Sequence, residues 1–172
     1  MRRIALSLGG PNGIGPEIVL KALAELAVDR RIQVTVFGAP AALERAAAAT
    51  GLQALLPTLD VRPCGELPAS ALRWGEVNAP AGASTVASAT AALQATRTGA
   101  FDAVVAGPHH ETAIARAGIP FSGYPSLVAR VCGKPEDSVF LLLLGGGLRI
   151  VHATLHESVA TALARMTPEL VV

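Results

Sequence analysis

Three stretches of the 172-residue chain carry side chains able to do chemistry. Gly107-Pro108-His109-His110-Glu111 follows the apolar run FDAVVA and sets two imidazoles beside a carboxylate. Each histidine can ligate a metal or act as an acid or base near neutral pH; a plain polar loop is the alternative. His152 and His156 form the second stretch, and all four histidines of the chain fall between 109 and 156. His152 lies inside an expected strand, where a structural role is the simpler reading, whereas His156 lies just past the strand end. The third stretch, Gly9 to Glu17, is glycine-rich and precedes a helix. Its Gly13 and Gly15 make it a candidate anion-binding loop, since a helix N-terminus attracts anions. A tight turn needing positive φ is the alternative there. The spacing is not that of a dinucleotide fingerprint, and no Walker lysine follows. Ser126, Cys64 and Cys132 have no neighbour in sequence that would activate them as nucleophiles.

The elements that must position these residues alternate between strands and helices. Arg3–Leu8 reads as a buried strand, and Pro16 and Glu17 open a helix that runs to about Ala27. Ile32–Phe37 is a second strand, and Ala39–Ala49 a second helix ending near Gly51. Leu59–Arg62 is a short strand, followed by a Pro/Gly-rich excursion from Pro63 to Gly82. Ala83–Thr98 is a helix, Phe101–Ala106 another buried strand, and Glu111–Ala117 and Ser126–Cys132 are short helices. Val139–Leu144 and Leu148–Thr154, joined by three glycines, signal an antiparallel hairpin. Glu157–Met166 is helical. This grammar predicts an α/β protein with helices layered on a mostly parallel sheet, as one unit over residues 1–172 with no internal linker. Thr167-Pro168-Glu169 has the residues of a further helix start, too short to sustain itself, so the chain reads as cut there; a frayed tail is the alternative.

Composition narrows the class. Apolar residues make up 51% and charged residues 16%, which excludes disorder and suggests surface hidden against another subunit. A net charge of +1 gives no basis for a nucleic-acid or membrane-surface partner. Two cysteines without metal-site spacing point to a reducing compartment. The basic-then-apolar N-terminus is too brief for a signal peptide, and no run reaches a membrane span. The expected location is cytoplasmic.

Taken together, the segments LSLGGPNGIGPEIVLKAL, VVAGPHHETAIARAGIPFSGYPSL and LRIVHATLHESVATALARMTPELV resemble, in order, the N-terminal half of the 4-hydroxythreonine-4-phosphate dehydrogenase (PdxA) family. The resemblance implies a fold like that of isocitrate and isopropylmalate dehydrogenases. It also implies a homodimer and NAD(P)-dependent oxidation of 4-phosphooxy-threonine in vitamin B6 synthesis. A divalent metal (Zn or Mg) held by three histidines would act as Lewis acid. By this resemblance His156 falls on the first metal histidine, and His110 on a turn position that is commonly Asn or His. Tyr124 and Pro125 replace a substrate-contacting His-Thr pair, and Glu111 replaces a lysine.

With one of the three metal histidines present, the chain is expected not to carry out that oxidation alone. Two further readings stand beside it. One is a small repurposed enzyme using His109, His110, His152 or His156 on another hydroxy-acid or phosphorylated ligand. The other is a non-catalytic protein that dimerises through apolar surface.

Overall fold

The computed structural model describes residues 1–26, 31–155 and 157–171. By internal packing the chain divides into two compact units, Met1–Phe121 and Ser122–Val172, each taken by itself below.

In the first unit, β1 (Arg2–Ser7), β2 (Ile32–Gly38), β3 (Asp60–Pro63) and β4 (Ala103–Ala106) form a parallel sheet in the order β3-β2-β1-β4. Alternation along β1 divides its side chains between two cores. Leu6 and Leu8 join Val36 against α1 (Gly15–Leu26) and α2 (Pro40–Thr50), where Leu20, Leu43 and Ala46 are almost fully buried. Ala5 joins Phe37, Phe101 and Ala92 of α3 (Ala79–Arg97) in the other core. There the Phe37 and Phe101 rings meet edge to face at 5.6 Å, the arrangement their quadrupoles favour. The expected helix–sheet–helix layering is therefore present.

Some boundaries differ from the sequence reading for identifiable reasons. α3 begins at Ala79 rather than Ala83, because Asn78 caps it by accepting from the Ala81 amide at 2.9 Å and Pro80 occupies its first turn. Gly82 is thus inside the helix rather than before it. A Cβ there would lie 2.1 Å from the Ala113 carbonyl oxygen of α4 (Glu111–Arg116), so the glycine serves close helix packing. β4 is shorter than the expected Phe101–Ala106 strand and is not buried: it is the edge of the sheet, and Val105 is 50% exposed.

In the second unit, α5 (Tyr124–Cys132) starts two residues before the expected Ser126, with Pro125 in its first turn. β5 (Leu142–Gly145) and β6 (Leu148–Val151) pair antiparallel as expected, Gly145 opposite Leu148. Gly146 and Gly147 have φ of 54° and 81°, the left-handed pair that a two-residue hairpin turn requires. The expected extent of the second strand to Thr154 is corrected: β6 stops at Val151. His152 lies just outside it, its amide donating to the Leu141 carbonyl at 3.0 Å. α6 (Val159–Arg165) is capped by Ser158, and Glu157 pairs instead with Arg165 at 3.2 Å. α7 (Pro168–Val171) follows the Thr167 signal. Among the described residues, no helix is long and apolar enough to cross a membrane.

Gly82→Ala tests the α3–α4 contact. Alanine's helix propensity favours it by up to about 1 kcal/mol, but overpacking against backbone costs about 1–3 kcal/mol. The expected result in urea denaturation is net destabilisation; a stabilised variant would show that the two helices part freely.

Candidate functional site

The strand order makes β1 the point from which connections run to opposite sides: through α1 to β2, and later through α3 to β4. In open parallel sheets, ligands bind beyond the strand ends at such a switch point. The turns leaving β1 and β4 meet there. Gly107 N donates to the Ser7 carbonyl and Gly10 N to the Pro108 carbonyl, both at 2.8 Å. Gly9 has φ of 75°, and a Cβ on it would lie 2.4 Å from the Pro108 carbonyl oxygen. The left-handed residue of this loop is therefore Gly9.

Above this junction lies a cleft of about 170 Å³. Its walls are the turn after β1 (Gly10, Asn12, Gly13, Ile14), the excursion (Gly75, Glu76, Val77) and the turn after β4 (Pro108, His109, His110), with α3 and α4 behind. Three of the sequence-derived candidates, Gly13, His109 and His110, are thus brought to one place. Gly15 is not among the lining residues. It is buried in the first turn of α1, where a Cβ would lie 2.4 Å from the Leu8 carbonyl oxygen, so it brings the helix close to the strand. His109 Nε2 lies 3.8 Å from Glu111 Oε1, and its ring packs edge-on against Phe121 at 4.9 Å. His110 is exposed, and its carbonyl accepts the Ala113 and Ile114 amides at the start of α4. The cleft is lined mainly by apolar surface, with Glu76, His109 and His110 as its ionisable lining residues, and Glu111 pairs with His109 from outside that lining. The imidazole–carboxylate pair suits hydroxyl recognition or proton transfer.

The second unit has its own cavity of about 550 Å³. Pro125 and His152, both sequence candidates, line it with Ser122, Ser126, Glu136, Asp137 and Arg165. His152 Nδ1 lies 3.3 Å from the Leu141 carbonyl oxygen, so its ring is tied to the hairpin. Tyr124 is half-buried at the start of α5, and burial pushes its phenol up to about 12. His156, the metal candidate, lies outside the described residues.

A family model described as "Pyridoxal phosphate biosynthetic protein PdxA" matches residues 15–172. The chain belongs to the PdxA family. Among curated relatives of this PdxA-family chain is a 1,2-dihydroxy-3,5-cyclohexadiene-1,4-dicarboxylate dehydrogenase of Comamonas sp. It is 57% identical over 171 residues, covering 99% of this chain and 54% of the relative. A solved terephthalate 1,2-cis-dihydrodiol dehydrogenase from Burkholderia xenovorans LB400 superposes with a TM-score of 0.75 at 47% identity, over 99% of this chain and 53% of that one. A 4-hydroxythreonine-4-phosphate dehydrogenase from Burkholderia phymatum superposes with a TM-score of 0.82 at 26% identity, over 99% and 55%. The chain spans about half the length of the curated relatives it matches.

Among the described residues, no three of His, Cys, Asp and Glu converge to hold a metal ion. These residues do not by themselves form the divalent-metal centre that the PdxA resemblance implies. Sequence reasoning missed Asn12, Glu76 and Val77, which complete the first cleft. The excursion was legible as irregular chain, and the Asn78 cap with Pro80 was the signal that its end is anchored.

The Tyr124 environment predicts a pH response. A raised phenol pKa means that the folded state disfavours the phenolate, so this contribution to stability is whole below about pH 10, the unfolded value. It is lost as pH rises through about 12. Absorbance titration of the chain's single tyrosine should give a midpoint well above that of the denatured protein; coincident midpoints would refute the buried environment.

Proposed function

We propose that this chain forms the part of a PdxA-family dehydrogenase that recognises a cyclic cis-diol dicarboxylate, rather than a phosphorylated hydroxy amino acid. The carrying observation is the contrast in identity, 57% to the dihydrodiol dicarboxylate dehydrogenase of Comamonas against 36% to the 4-hydroxythreonine-4-phosphate dehydrogenase of Acidithiobacillus ferrooxidans. The local charge supports it. Glu111 stands at the head of α4, 3.8 Å from His109, where the family resemblance expects a lysine. A phosphate dianion has no proton to offer a carboxylate and is repelled by it, whereas a diol hydroxyl donates to it. Tyr124 and Pro125 likewise stand where the resemblance expects a polar His-Thr pair.

A bound nicotinamide cofactor, NAD(P), would supply the hydride acceptor. The chemistry proposed for the diol is a loss of hydride from carbon and of a proton from its hydroxyl, which leaves a ketone. With a carboxylate on the neighbouring carbon this is a β-keto acid: the carbon–carboxylate bond breaks, CO₂ departs, the bonding pair moves onto the ketone oxygen as an enolate, and a proton taken up by that oxygen leaves an aromatic phenol. What this chain's own residues contribute is orientation. Glu111 and His109 form a polar pair for the hydroxyls, and the turns after β1 and β4 set the cleft beside them.

Calorimetry with the purified chain tests the reading. The expected result is binding of 1,2-dihydroxy-3,5-cyclohexadiene-1,4-dicarboxylate at least about tenfold tighter than 4-phosphooxy-threonine, a difference of about 1.4 kcal/mol. Glu111→Lys should narrow that gap. Equal affinities, or tighter binding of the phosphate compound, would overturn it. With NAD and Zn or Mg added, the chain by itself is expected to give no steady NADH.

A second observation favours self-association. In β5 and β6, Leu142, Leu144, Leu148, Ile150 and Val151 are each 49–69% exposed, a larger apolar surface than a solitary ribbon tolerates in water. We propose that a second copy of the chain covers it in a homodimer. Sedimentation should show dimers at micromolar concentration, and a clean monomer there would remove the proposal.

A further inference from the structure

Asn12 is buried to 5% exposure, yet its bonds all lead away from its own loop. Its Nδ2 donates to the Ala71 carbonyl at 2.9 Å and the Glu76 carbonyl at 3.1 Å. Its Oδ1 accepts the Arg73 amide at 2.8 Å, and its backbone carbonyl accepts the Gly75 amide at 2.8 Å. The partners lie 59–64 residues away in sequence. Other tethers reach the flanks of that segment: Arg45 Nη1 donates to the Leu72 carbonyl and Arg116 Nη1 to the Val77 carbonyl. Between the flanks, Trp74 lies over the Arg45 guanidinium at 4.2 Å from the ring centre, and the backbone of 73–76 hangs on Asn12. Gly75, Glu76 and Val77 are one wall of the cleft at the β1–β4 switch point.

We infer that Asn12 is a positioning residue, a clasp that holds the 73–76 loop closed and so sets the width of the cleft. The inference rests on the reading of that cleft as part of the ligand-binding face. The amide suits the task because one side chain must donate twice and accept once in a buried place. Aspartate has the same shape but no N–H, so its charged form would turn oxygens toward the Ala71 and Glu76 carbonyls without a proton between them. Protonation restores one donor.

Trp74 is the chain's sole tryptophan and reports on the loop directly. In Asn12→Ala, the emission should shift to the red, acrylamide should quench it more strongly, and the Arg73 and Gly75 amides should exchange roughly ten- to hundredfold faster. The far-UV melt should remain a single transition. Asn12→Asp should behave like the alanine variant at neutral pH and return toward the wild-type spectrum as pH falls, a response that a merely space-filling role would not give. Should Asn12→Ala fail to fold, Asn12→Ser keeps one hydroxyl and should show the same changes at smaller size. Unchanged emission and exchange in the alanine or serine variant, or a pH-independent aspartate variant, overturns the clasp. These readouts need no ligand, so their failure is distinct from a failure of the diol dicarboxylate to bind.

Discussion

The first unit depends on how closely two backbones approach at the ends of β1 and β4. The Ser7 carbonyl takes the Gly107 amide and the Pro108 carbonyl takes the Gly10 amide, each at 2.8 Å. Side chains would prevent this. A Cβ on Gly9 would lie 2.4 Å from the Pro108 carbonyl oxygen, and one on Gly107 would lie 2.6 Å from that of Leu8. Because the two turns are stitched together, the residues that follow each of them, Asn12–Ile14 and His109–His110, face a common space. A cleft at a switch point needs no separate binding domain; it follows from strand order and two absent β-carbons.

Most of the fold was legible in the residues. Continuous apolar runs gave the parallel strands, a proline or a cap residue marked most helix starts, and the three-glycine stretch marked the hairpin. Gly82 misled because a glycine reads as a stop, whereas here it is the contact point of α3 with Ala113 of α4. Phe101–Ala106 read as buried because apolar runs are normally covered on both faces, yet β4 lies at the sheet edge. Periodicity carries no information about which strand lacks a neighbour.

Less of the site was legible. Adjacent histidines after a strand were visible as a locus, and the structure brings them to Gly13. The partner wall at Gly75–Val77 was invisible, because its attachment runs through Asn12 to backbone atoms, and backbone carbonyls leave no trace in residue identity. Gly13 and Gly15 looked equivalent in sequence, but Gly13 faces the cleft and Gly15 packs α1 on β1. The acidic pair Glu136 and Asp137 belongs to the second unit, where spacing in sequence could not assign it to the cavity with His152.

The position of β4 has a practical side. Its outer rim displays peptide N–H and C=O groups without a ladder partner among the described residues, and Val105 adds an oily side chain half open to water. Such a rim is a template on which stray extended segments can add. In a concentrated preparation of this polypeptide residues 103–106 are therefore one place where loss of solubility can nucleate. A charge placed at Val105 would be a gentler remedy than any change to the helices.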